Sequence, residues 1–95
     1  MDCCHKTKVR DAEAKRKLTH RLSRIEGQIR GIRNMVESDA YCPDILLQVA
    51  AAAAALEAFK GELLADHIRT CVLHDVKAGN EETVEELIET LRRIR

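Results

Sequence analysis

Aromatic residues are almost missing from this 95-residue chain: Tyr41 and Phe59 stand alone, tryptophan is absent, and Pro43 is the single proline. β-Sandwiches and barrels draw on aromatic and β-branched residues and on frequent turns, so those folds are excluded. The same scarcity removes the platforms on which single-stranded nucleic acid stacks. No run of about eighteen apolar residues occurs, so no membrane span is expected. The start, MDCCHKTKVR, lacks the apolar segment of a secretory signal. A phosphate-binding glycine loop and a Ser/Asp partner for a nucleophile are also missing, so an enzyme is not expected. What is present is 34 % charged residues and a 45 % hydrophobic fraction swollen by alanine. That composition belongs to helices.

Net charge is lacking too, because 16 Lys and Arg meet 16 Asp and Glu. The zero hides an asymmetry: residues 1–33 carry +6, residues 34–71 carry −4, and the remainder −2. A basic N-terminal third on an acidic body is a footprint for nucleic acid. The four cysteines (Cys3, Cys4, Cys42 and Cys71) accompany no secretory signal. In a reducing cytoplasm thiols serve as metal ligands or reactive groups rather than as structural bridges.

Residues 1–11 are polar and aperiodic and read as a mobile N-terminal arm, leaving 12–95 as one three-helix domain. From about Asp11, Leu18, Leu22, Ile25, Ile29, Ile32, Met35 and Val36 recur at helical steps, with Arg16, Arg24, Arg30 and Arg33 largely off that stripe. Residues 37–41 form a turn, and Pro43 marks a restart at the first helical position. A long second helix runs to about Lys77, with Ile45, Val49, Ala52, Leu56, Phe59, Leu63, His67 and Thr70 as its buried stripe. The unbroken alanines 50–55 favour helix and permit close approach of a partner helix. Gly79 closes it. A third helix follows over about 81–94, with Val84, Leu87, Ile88 and Leu91 on its apolar face.

His67 and Cys71 are four residues apart and so share one helix face. That spacing suits metal ligation, and it equally suits two small core residues beside Leu63 and Leu64. Cys42 lies 25 residues before His67. A continuous helix separates the two by about 37 Å at 1.5 Å per residue, so they cannot meet within one chain. Two antiparallel copies bring Cys42 of one beside His67 and Cys71 of the other, and twofold symmetry generates two identical sites. Two thiolates and one imidazole suit Cu(I), whereas structural zinc takes four ligands.

The stretches RLSRIEGQIRGI (21–32), DAYC (39–42) and HIRTC (67–71) resemble the copper-sensitive operon repressor family of bacteria. The resemblance covers about residues 15–92. It implies an all-α protein of three helices per protomer, an antiparallel helical dimer assembling to a dimer-of-dimers tetramer. It further implies binding of double-stranded operator DNA without a helix-turn-helix, in the bacterial cytoplasm, with a copper chaperone as a further partner. By resemblance, Cys42, His67 and Cys71 map onto Cu(I) ligands shared across the dimer. Tyr41 and Glu86 map onto positions that couple the metal to DNA binding, and Arg21 onto a basic residue used on DNA. The persulfide-sensing branch looks like the two cysteines without the histidine, and the nickel/cobalt branch has histidine where Cys71 stands and another near Arg10. The formaldehyde branch lacks the final cysteine. One departure is Glu57-Ala58-Phe59-Lys60, where some members use a basic residue on DNA; either Lys60 substitutes for it or the first helix carries the surface alone.

The expected function is therefore a repressor that holds its operator when metal-free and releases it on Cu(I) binding, derepressing copper-resistance genes. Its expected DNA contacts are Arg16, Lys17, Arg21, Arg24, Arg30 and Arg33. Two alternatives stand beside it: a thiol-based persulfide or electrophile sensor using Cys42 and Cys71, and a copper-buffering protein with no DNA role. Cys3, Cys4 and His5 fit either a second metal site or a reactive, disordered start. His20 fits a phosphate contact or a surface histidine, and His74 an extension of the site or a solvated helix end.

Overall fold

The computed structural model describes residues 10–94. Three helices account for nearly all of them: α1 (Ala12–Glu37), α2 (Cys42–Lys77) and α3 (Glu82–Arg93). The predicted boundaries hold to within a residue or two, with Cys42 rather than Pro43 as the first residue of α2. Cys3, Cys4 and His5 lie outside the described residues.

Each boundary has a local cause. Asp11 caps α1, its Oδ1 accepting from the Ala14 amide at 2.7 Å, which satisfies one of the donors orphaned at a helix start. The last residues of the expected arm are thus anchored: Asp11 by this cap, and Arg10 by an ion pair in which its Nε lies 3.8 Å from Asp66 Oδ2. α1 ends in a Schellman motif. The Ala40 amide donates to the Met35 carbonyl at 2.9 Å and the Asp39 amide to that of Val36 at 3.2 Å. Asp39 takes the left-handed conformation this requires, at φ 56°. α2 ends the same way: the Asn80 amide reaches the Asp75 carbonyl at 2.8 Å, the Gly79 amide that of Val76 at 3.0 Å, and Gly79 sits at φ 87°.

α2 is not uniform. It is α-helical over Cys42–His67, widens into a π-helical turn over Ile68–Val72, and returns to α-helix over Leu73–Lys77. A π-turn lets one extra residue into the helix and is frequent at functional positions.

The chain divides into two compact units, Asp11–Leu63 and, among the described residues, Arg10 with 64–94. In the first, Ile25 and Ala52 are the buried apolar residues; in the second, Cys71 and Val72. On the expected stripe of α2, Ala52 is buried, Ile45, Phe59, Leu63 and His67 are half-buried, and Val49, Leu56 and Thr70 are exposed; off that stripe Leu46 and Leu47 lie 62 % and 69 % open to solvent. On α1, Leu22, Ile29 and Val36 are exposed as well. The periodicity marks faces that a single chain leaves without a partner. By length and composition alone α2 is also apolar enough to cross a membrane, against the expectation from strict apolar runs. Gln48, Glu57 and Lys60 break any such run, but the alanines between them keep the average apolar.

In the second unit, α3 packs on the π-turn and on the final turn of α2. Thr83, not one of the apolar residues expected there, is its buried residue, and its hydroxyl donates to Asp75 Oδ2.

Candidate metal centre and basic groove

Cys42 is the first residue of α2, where Tyr41 presents its carbonyl to the amides of Asp44 and Ile45 at 3.0 and 3.2 Å. Its thiol is free and exposed, and Tyr41 beside it is 72 % exposed. An exposed thiol on the first turn of a rigid helix is accessible to anything that approaches that helix end.

His67 and Cys71 belong to the other unit. His67 is the last residue before the π-turn and is half-buried; Cys71 lies inside the turn and is 1 % exposed. Thr70 donates its hydroxyl to the Asp66 carbonyl at 2.8 Å, and its Oγ1 lies 3.7 Å from Cys71 Sγ. The sequence reading of a plain α-helical His-x-x-x-Cys pair is thus modified, since the turn between the two donors is wider. Arg10 Nε, ion-paired to Asp66 next to His67, is buried without a hydrogen-bond partner. Among the described residues of a single chain, no three His, Cys, Asp or Glu side chains gather to hold a metal ion. His74 and Glu86 are exposed on their helices.

The basic residues separate into two places. Arg16, Lys17, Arg21 and Arg24, with His20, line one groove of about 510 Å³, and Glu62 is the acid that shares it. Arg21 and Arg24 also border a smaller depression of about 300 Å³ whose other walls are Ile25, Gln28, Ala55 and Ala58. Arg30 and Arg33 line a separate depression with Glu26 and Ile29. Position along α1 explains the division: residues 16–24 lie in its first half, and Arg30 and Arg33 begin about 9 Å beyond Arg24 at 1.5 Å per residue.

Within the groove, Arg21 Nη2 lies 3.9 Å from Glu62 Oε1, and Arg16 is held by Glu13 at 2.7 Å. Arg33 reaches Glu37 at 3.7 Å. These are exposed pairs, worth at most about 1 kcal/mol, and a phosphate competes readily with them. Lys60 is turned to Glu57, 2.9 Å away, and is not part of the groove lining. Glu62 is the groove residue the sequence reading missed, and Gln28 is missed in the smaller depression; Glu62 lies on α2, and only the packing of α2 against α1 brings it there.

Comparison with known proteins places this architecture. The model of the metal-sensitive transcriptional repressor family matches residues 14–93. The copper-sensing transcriptional repressor CsoR of Bacillus subtilis is 44 % identical over 91 residues, covering 94 % of this chain and 90 % of that protein. The copper-sensing repressor RicR of Mycobacterium tuberculosis is 46 % identical over 59 residues, 62 % of each chain. Among solved structures, the copper-sensing repressor CsoR with Cu(I) from Geobacillus thermodenitrificans superposes with a TM-score of 0.86 at 38 % identity over 90 % of both chains. The nickel-responsive regulator InrS superposes at 0.73 with 40 % identity, over 94 % of this chain and 98 % of that one. With the family model matching most of its length and a relative this similar, the chain belongs to the metal-sensitive transcriptional repressors.

Proposed function

We propose that this protein is a Cu(I)-responsive transcriptional repressor of bacterial cytoplasm, holding operator DNA when metal-free and releasing it when Cu(I) is bound. The observation that carries the reading is the donor set: an exposed thiol at Cys42, His67 before a π-turn and Cys71 within it, with no metal site closed among the described residues of one chain. Two thiolates and one imidazole are soft ligands and fit Cu(I); Ni(II) favours nitrogen- and oxygen-rich square-planar sets. In this reading the ligands are Cys42 of one copy with His67 and Cys71 of another, and Tyr41 and Glu86 stand around them. Cu(I) supplies the soft cation that draws the two thiolates together, and its coupling to DNA is reciprocal by thermodynamic necessity.

The uncovered apolar faces support the assembly this needs. Leu46, Leu47, Val49 and Leu56 on α2, with Ile29 and Val36 on α1, find cover in further copies of the chain, as an antiparallel dimer and then a tetramer. The apolar length of α2 then serves an interface between subunits rather than a bilayer. DNA phosphates are taken by Arg16, Lys17, Arg21 and Arg24 in the groove, with Arg30 and Arg33 as a second, separate contact. Residues 12–95 are one functional domain in this reading, and a copper-delivering chaperone is its donor.

An anaerobic Cu(I) titration of reduced protein against a strong competing chelator tests the reading, with Cys42→Ser and a Ni(II) titration alongside. The expected result is one tightly held Cu(I) per chain, lost in Cys42→Ser, and loss of operator binding on loading. Copper binding indifferent to Cys42, or operator affinity unchanged by copper, overturns it.

A further inference from the structure

The second unit contains a buried polar contact that ligand binding and DNA contact leave unused. Asp75 is 3 % exposed and Thr83 4 %, and the Thr83 hydroxyl donates to Asp75 Oδ2. Their buried neighbours in sequence are Cys71 and Val72, in the π-turn. Burying a carboxylate is costly unless its oxygens receive hydrogen bonds, and a buried polar pair adds less stability than an apolar pair of the same shape. Such a contact is better explained by the position it fixes than by the stability it adds.

What it fixes is the start of α3 relative to the Cys71 turn. Asp75 lies four residues after Cys71, one turn along the same face. Its backbone carbonyl accepts from the amides of Asn80 at 2.8 Å and Ala78 at 3.2 Å, which builds the turn into α3. Its side chain then holds Thr83, the second residue of α3. Backbone and side chain of one residue therefore tie both ends of the connection to the helical turn that follows Cys71. A return of the π-turn to α-helical pairing would swing everything after it about the helix axis. With Asp75 and Thr83 joined, α3 swings as well.

We propose that the Thr83–Asp75 hydrogen bond is the positioning contact through which α3 follows the Cys71 turn, so that engagement of the Cys71 thiolate is passed to α3 and from there to operator affinity. The inference rests on the copper-responsive repressor reading and adds to Tyr41 and Glu86 a further residue pair in the coupling. Thr83 and Asp75 are positioning residues that act through Cys71 and α3.

The test uses the full-length reduced chain as wild type, Thr83→Val, which keeps the shape and removes the donor, and Thr83→Ser, which restores it. Operator affinity is measured with and without one Cu(I) per chain, and hydrogen exchange of backbone amides is followed in both states without DNA. Thr83→Val is expected to bind the operator within about threefold of wild type when metal-free. Its ratio of metal-free to loaded affinity is expected to fall at least tenfold, and Thr83→Ser to bring the ratio back. In wild type, Cu(I) is expected to change exchange in 68–77 and in α3 together; in Thr83→Val, in 68–77 only.

A wild-type ratio well above one that is unchanged in Thr83→Val overturns the proposal alone. Equal loss in Thr83→Val and Thr83→Ser also overturns it, by assigning the effect to packing. A wild-type ratio of one overturns the repressor reading and this inference together. Should Thr83→Val not fold, the wild-type exchange decides: α3 amides that do not respond to Cu(I) while the 68–77 amides do overturn the proposal.

Discussion

Removing Arg21 and Arg24 together tests the groove most directly, because the two border both depressions on that side of the chain. Each phosphate neutralised by a cation contributes roughly 0.9 to the slope of log affinity against log salt. The double variant Arg21→Ala/Arg24→Ala is therefore expected to flatten the slope by about 1.8 for each protomer in contact. Between 50 and 200 mM salt, a fourfold step, wild type then loses about 12-fold more affinity per engaged protomer than the variant. Neither arginine is buried, and Glu62 lies 3.9 Å from Arg21 in an exposed ion pair. The fold is thus expected to tolerate their loss, and the helical circular-dichroism signal to stay at its wild-type value. Fluorescence anisotropy of metal-free protein on a labelled operator, at five or more salt concentrations, gives the slopes. Glu62→Gln is the mirror experiment: deleting the acid from the groove lining is expected to tighten binding, while Glu57→Gln, outside that lining, is not. An unchanged slope in the double variant would refute the assignment of the groove to DNA.

Other outcomes follow from the caps and the uncovered faces. Gly79→Ala meets no atoms within 4 Å of its new Cβ, so its cost is backbone strain at φ 87°. That cost is about 1–2 kcal/mol, read as a drop of several degrees in melting temperature at fixed protomer concentration, since about 1 kcal/mol shifts a domain of this size by roughly 4–8 °C. Asp39→Gly, at the matching position of α1, is expected to raise the melting temperature; a fall would contradict the cap assignment. Asp11→Ala removes the side-chain acceptor for the Ala14 amide and is expected to cost about 1 kcal/mol in the same melt. Leu47→Glu places a charge on a side chain already 69 % exposed in the lone chain. Sedimentation is expected to show smaller species for it, and an unchanged assembly would exclude this face as an interface.

The helices and their ends were legible because their causes are local: apolar residues at three- and four-residue steps, a proline at the restart, a glycine after the last turn. Three features were not. The π-turn falls on Ile-Arg-Thr-Cys-Val, which carries no residue that distinguishes it from ordinary helix. Asp75 reads as a solvated charge on any helical wheel, and only the packing of α3 buries it against Thr83. The third is the division of the arginines, since charge counting treats Arg30 and Arg33 with Arg16 to Arg24 although they line a separate depression further along α1. For the candidate metal site, the sequence supplied the donors and the argument that one chain cannot unite them. It did not supply the exposure of Cys42 or the deep burial of Cys71.

A chain whose buried apolar residues, among those described, reduce to Ile25, Ala52, Cys71 and Val72 keeps little of its interior to itself. When further copies supply the rest, folding and assembly become one equilibrium that is steep in concentration. Such a regulator counts itself. With the proposed assembly, dilution below its threshold would leave the operator open whatever the copper level, and above the threshold the metal alone would decide.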